Sequence, residues 1–551
     1  MTLHARDWFP VPAETARVAH QVYPKGDNVW ITVRDHLGFW YRDSDFADLF
    51  VADRGRSPES PARLNMILIA QFAEGLTDRQ AAEAVRSRID LKYLLGLELV
   101  DQGFDYSILS DYRARLIAGG KEAQLLNDML VRFQEMGLVK ERGKQRTDST
   151  RVLAVVRDMN RLERVGETMR AALNALATDV PDWLLEQVEP DWFDRYGPRF
   201  EQYRLPKTES ERKQLAIEIG ADGYHLLSAV YDDKAPEYLR QIPTVETMRR
   251  VWIQQYYLED DQVHWRTGKD SPPPGQRIAS PYDDEARNRT KHDVNWTGYT
   301  AHFTETCGAN GPNVITDVQT TDASVVDSKM TAVIHESLAN KGLLPSEHFL
   351  DTAYVSADLI VRARDEYGVE LVGPVMPDTR WQARAGLGFD QSSFDIDWEA
   401  KQARCPEGQT SHRWQERQDD AGKDIILVYF EPHKCHACAR RSDCTRAEVG
   451  GRSLALRPEA EYIALQEARH RQETKEFKER YNLRAGVEGT ISQGTRTFEL
   501  RRTRYKGLQK THLQHVLTAA AMNLARVVSW IHEHPKAQTR QSRFQRLALA
   551  A

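Results

Sequence analysis

No apolar run in this 551-residue chain approaches the roughly 18 residues that a membrane-spanning helix needs, so such a span is not expected. The N-terminus, MTLHARDWFP, has no basic segment followed by an apolar one. It does not read as a secretory leader, and the expectation is a cytoplasmic protein. Cysteine is scarce, with five residues in the whole chain, and in that setting a disulfide framework is excluded. Neither sign of charge dominates, since 75 Lys and Arg against 81 Asp and Glu leave −6. The total alone therefore argues weakly against a nucleic-acid partner. Hydrophobic residues at 41% and charged residues at 28% fit a soluble globular chain with room for several domains.

The distribution of charge says more than the total. Residues 481–551 hold twelve Lys and Arg against three acids, a balance of +9, which leaves −15 on residues 1–480. A basic C-terminal segment on an acidic body is a candidate nucleic-acid face, with Arg501, Arg502, Arg504, Lys506 and Lys510 suited to phosphate contacts. The plainer reading is a solvated helical surface. At the other end, MILIAQFAEGLTDRQAAEAVRSRIDLKYLLGL has apolar residues at three- and four-residue spacing. Gly75 predicts the end of one helix, and Thr77 with Gln80 predicts a capping box that starts the next. This is the outline of a helix-turn-helix, though small bundles share it. A further helix near Ser107 carries Arg113 and Arg115 as candidate DNA contacts.

In RTDSTRVLAVV the run Val152 to Val156 predicts a buried strand, with Asp148 in the polar turn before it. The bland role for Asp148 is an Asx-type turn. The sharper one is a carboxylate that meets others at a metal. Asp351 has the same placement, after the apolar HFL and before a turn and helix. Glu488 follows a charged helix and precedes the basic run. Converging carboxylates suit Mg²⁺, a hard ion with oxygen ligands, and such ions serve phosphoryl chemistry. Between the first two acids lies a helical stretch from about 160 to 258, in which no chemistry is evident. It is followed by a Pro-rich break and then by strands and helices in alternation. That order predicts a mixed sheet flanked by helices, an α/β fold.

Tyr481, Arg484 and Glu488 stand as Tyr-x2-Arg-x3-Glu. This resembles the signature around the last acid of bacterial insertion-sequence transposases of the DDE superfamily. RTDST and LDTAYVSA resemble the motifs of the first two acids, with Ala353-Tyr354 where Gly-Tyr is common. The basic residue usual after the Glu is replaced by Thr495, and Arg496 comes next. The resemblance implies an RNase H-like sheet that brings Asp148 and Asp351 to adjacent strand ends, with Glu488 on a helix across it. It implies Mg²⁺ (or Mn²⁺) at these three acids, Tyr481 and Arg484 as positioning groups, and Arg496 as a further auxiliary. The implied activity is hydrolysis at transposon ends, then transfer of the 3′-hydroxyl into target DNA. The partners would be double-stranded DNA (terminal inverted repeats and target) and further copies of the chain, a dimer at least. Alternatives are a metal-dependent nuclease without strand transfer and a transposase-derived DNA-binding regulator.

Four cysteines cluster as Cys405 and then Cys435-x2-Cys438-x5-Cys444, while Cys307 reads as a core residue. Four thiolates suit a structural zinc, with His433 or His436 as substitute ligands. An iron–sulfur cluster and no metal stay open. The expected division is 1–140, a helical DNA-binding domain; 141–160 and 276–375, the catalytic domain in two parts; 161–275, a helical insertion; 376–455, a Cys-rich insertion; and 456–551, the Glu488 helix with the basic segment.

Overall fold

The computed structural model describes residues 3–50, 58–291, 293–308 and 311–535. The end of the predicted basic segment, 536–551, lies outside the described residues. A six-stranded mixed sheet forms the middle of the molecule. Its first strand, β1, spans Lys144–Leu153. A short hairpin of β2 (Tyr256–Glu259) and β3 (Gln262–Trp265) stands apart from the sheet. The sheet continues with β4 (Arg287–Lys291), β5 (Val294–Thr306), β6 (Ile315–Asp322), β7 (Glu347–Phe349) and β8 (Glu370–Val372). The order is β4-β5-β1-β7-β8, with β6 also paired to β5. The pairs of β5 with β1, β4 and β6 are antiparallel, and those of β7 with β1 and β8 are parallel.

β1 starts earlier than hydropathy predicts. Asp148 sits in the middle of the strand, not in a turn before it, and Val155 of the expected strand is exposed. The reason is that β1 buries polar side chains which find partners far away in sequence. The Gln145 amide donates to the Leu343 carbonyl at 2.6 Å, and Thr147 Oγ1 lies 2.6 Å from Thr304 Oγ1 and 2.7 Å from His348 Nε2. A satisfied polar strand is stable when buried but carries no apolar signature.

The N-terminal helices follow the sequence closely. Pro61–Glu74 ends on Gly75 in the left-handed region, and Thr77 and Gln80 form the capping box of Asp78–Ser87. These helices, the sheet and the long helix Leu508–Ile531 share one apolar core, which includes Leu68, Phe133, Phe303 and Leu517. The segment after β1 builds a second core of its own from the helices Arg161–Asp179, Glu209–Val230 and Pro243–Gln255, centred on Met169, Trp252 and Tyr256. The Cys-rich region is a small β unit. It pairs β9 (Asp395–Asp397) with β10 (Gln402–Arg404) and sets β12 (Asp424–Tyr429) between β11 (Arg413–Gln418) and β13 (Ser453–Leu456). Its core holds Phe394, Val428, Phe430 and Leu454. Among the described residues no helix is long and apolar enough to cross a membrane.

Candidate active site

The pairing of β1 with β7 covers only Lys144–Arg146 against Glu347–Phe349, and beyond it the two strands part. Two residues past the last pair on each strand stand Asp148 and Asp351. Each carboxylate is oriented locally by the chain. Asp148 Oδ1 accepts from the Ser149 N–H at 2.8 Å, and Asp351 caps the turn Thr352–Tyr354 by accepting from the Thr352 N–H at 2.6 Å. Glu488 comes from the first turn of the helix Gly486–Thr497, which packs against β1.

One guanidinium lies among all three acids. Arg484 Nη2 is 2.9 Å from Asp148 Oδ2 and 4.0 Å from Asp351 Oδ2, and its Nη1 is 3.5 Å from Glu488 Oε1. The Asp148 side chain is 19% exposed, that of Asp351 45% and that of Glu488 69%, so the cluster opens from a covered floor to solvent. Burial pushes the Asp148 carboxyl above its ordinary range; Arg484 and the Ser149 N–H pull it down, and Asp351 adds to the rise. Burial opposes the charge on Arg484, yet Asp148, Tyr481, Asp351 and Glu488 together hold that charge above its ordinary strength. Tyr481 stacks on Phe477, centroids 5.7 Å apart, at the side of this cluster. Arg496 is exposed on the last turn of the Glu488 helix and has no ion pair with the three acids.

Beneath the cluster lies a buried ionic layer that sequence reading missed. Glu305, fully buried on β5, is 2.7 Å from both Arg146 Nη2 and Arg526 Nη1 and accepts from Thr490 Oγ1 at 2.5 Å. Arg146 also donates to the Leu483 carbonyl at 2.6 Å, which fixes the turn that carries Arg484. Gly486 lies so close to Arg146 that a Cβ there would be 2.0 Å from its Nη1. The one available signal was the strand period of two, which sets Arg146 and Asp148 on the same face. Removing one partner of such a buried pair costs about 3–5 kcal/mol.

The predicted DNA-contacting residues divide. Arg113 is buried and takes up Asp78 at 2.6 Å, and Arg115 donates to the Leu49 carbonyl at 3.1 Å. Both guanidinium groups serve packing in this conformation. Arg504 lies over the Phe72 ring and joins the C-terminal segment to the N-terminal helices. Arg501 donates to Thr150 Oγ1 at 3.0 Å, two residues along β1 from Asp148. Arg502, Lys506 and Lys510 are exposed.

Cys405, Cys435, Cys438 and Cys444 come together around one small cavity, bordered by Phe389 and Phe430. All four are free thiols, and burial pushes Cys444 up to about 11. His433 and His436 are exposed and do not line the cavity. Cys307 packs with Phe349, Val372 and Phe477, as a core residue. Among the described residues no group of three or more His, Cys, Asp or Glu is set as it stands to hold a metal ion.

No curated protein and no solved structure matches the chain. Two family models do. Residues 404–528, which include the cysteine cluster, Arg484 and Glu488, match the transposase DDE domain. Residues 18–115, the N-terminal helices, match a transposase domain (DUF772). These matches at the two ends of the chain support its membership of the insertion-sequence DDE transposases, enzymes that act on DNA.

Proposed function

We propose that this chain cuts phosphodiester bonds at transposon ends and transfers the freed 3′-hydroxyl into target DNA. The observation that carries the reading is the convergence of three carboxylates, from three separate elements, on one positive group. The donor set is all oxygen, and Asp148 stays above its ordinary range even with Arg484 in contact. Such a site suits a hard divalent cation. Asp148, Asp351 and Glu488 would hold Mg²⁺ or Mn²⁺, which when bound activates the attacking oxygen and stabilises the leaving one.

The chain's own groups do the rest. Arg484 supplies counter-charge while no DNA is present. Its planar fork is suited to a phosphate once the acids are otherwise engaged. Tyr481, fixed by Phe477, borders the reacting phosphate, and the buried Glu305 layer keeps the Arg484 turn in register with β1. The mixed sheet, opened between β1 and β7, supports reading 141–160 and 276–375 as an RNase H-like catalytic domain. The helical 161–275 and the Cys-rich 376–455 then read as insertions. The capped helix pair in 1–140 supports a helix-turn-helix role in DNA binding, and 456–551 brings Glu488 and the basic residues. A dimer or larger assembly that holds two ends belongs to the same reading.

The test is cleavage of DNA that carries the element's own ends, with Mg²⁺ or with EDTA, by the wild type and by Asp148→Asn. Nicking is expected only from the wild type with Mg²⁺. Equal products in all four reactions would remove Asp148 from the catalytic site.

A further inference from the structure

Beside the acids, along the open side of β1, lies a cleft of about 240 Å³. It is lined by Arg151 of β1, Arg289 and Lys291 of β4, and Arg501, with Asp327 as its one acid. Lys291 Nζ is 3.3 Å from Asp327 Oδ2, which leaves three positive groups without a carboxylate in the cleft. Arg289 uses one terminal amino group on the carbonyls of Ala323 and Val325, and Arg501 uses its Nε on Thr150. Arg151 is exposed and has no ion pair among the described residues. Burial and then the charge of Arg151 weaken the hold of Arg501 on its proton, so the two guanidinium groups repel each other. Thr300, only 3% exposed, also lines the cleft, and its hydroxyl has no hydrogen-bond partner among the described residues.

A buried hydroxyl without a partner, in a cleft with surplus positive charge, calls for an anion with oxygen acceptors. The cleft is also close to the acids in sequence and in space. Ser149 and Thr150, which line it, follow Asp148 directly, and the charge of Lys291 acts on the Asp148 carboxylate. Two residues of strand span roughly 7 Å. We propose that this cleft binds a backbone phosphate next to the one being cut, so that the DNA strand runs along the open edge of β1. The cleft would then set which phosphodiester faces Asp148. This rests on the reading of the chain as an enzyme that cuts DNA.

The experiment uses the full chain and end DNA in which single phosphates are replaced, one position at a time, by uncharged methylphosphonates. Wild-type binding is expected to weaken several-fold at one position beside the cut. Arg151→Gln should weaken binding to unmodified DNA, lose the sensitivity at that position alone and lower the slope of affinity against salt by about one. Arg501→Gln serves as the second variant and should behave in the same way. Unchanged slope and unchanged sensitivity in both variants would overturn the cleft while the catalytic reading stands. A wild type that binds no end DNA would overturn both. Inorganic phosphate at millimolar concentration should not compete; competition would mean a site for free anions instead.

Discussion

The acid cluster and the cysteine cluster assemble by different rules. Asp148, Asp351 and Glu488 gather around a cation supplied by the chain itself, Arg484. Cys405, Cys435, Cys438 and Cys444 gather around a small cavity that Lys434, Arg441 and Arg452 also line, and burial keeps the Cys444 proton in place against the pull of Arg452. Carboxylates held together carry charge at neutral pH and repel one another, and a cation among them relieves that cost. Thiols can wait uncharged and lose their protons only when a metal arrives. An acidic site therefore carries a placeholder, and a thiol site does not need one.

The largest effect that would test this contrast is on the acids. Asp351→Ala and Glu488→Ala should each abolish cleavage, by three orders of magnitude or more, roughly what a transition-state charge is worth, while DNA binding persists. Cleavage at a normal rate in either variant would remove that residue from the site. The cysteines should show a smaller effect. We expect one zinc per chain on metal analysis, lost in Cys435→Ser together with several degrees of thermal stability. A visible absorption band would identify an iron–sulfur cluster instead, and a metal-free chain with four titratable thiols would end the metal reading.

The smallest effect should come from the placeholder. Arg484→Gln leaves three acids without their common cation and should lower stability at pH 7 by about 1 kcal/mol, given how open the site is. The loss should shrink as pH falls. The folded Asp148 already binds its proton more readily than an unfolded carboxyl does, so protonation favours the fold. Urea unfolding at pH 7 and pH 5 checks this, and a variant as stable as the wild type at both values would refute the counter-charge role.

Much of the scaffold was legible in the sequence. Gly75, Thr77 and Gln80 marked a helix end and a helix start by backbone chemistry that acts locally. The alternation from β5 to β8 was equally plain, because those strands and helices bury apolar faces. The three acids were singled out by motif, although only Asp351 was placed after a strand; the structure sets all three around Arg484. What stayed hidden depends on distant partners. The start of β1 was missed because Gln145 and Thr147 are satisfied by residues about 200 positions away. Arg113 looked like a DNA contact, yet Asp78 claims it. Glu305 and Arg526 carry no pattern at all, since a buried ion pair announces itself only when both ends are placed.

One feature of the fold bears on how such an enzyme measures distance. The N-terminal helices, the sheet and the helix Leu508–Ile531 share a single core, and Arg504 joins them again on the surface. A joint of that kind has no free pivot. If DNA is gripped by the N-terminal helices, the acids meet it at one fixed separation, as the jaws of a locked calliper would. The bond that is cut is then chosen by spacing from the grip, and the length of DNA between them becomes part of the recognised signal.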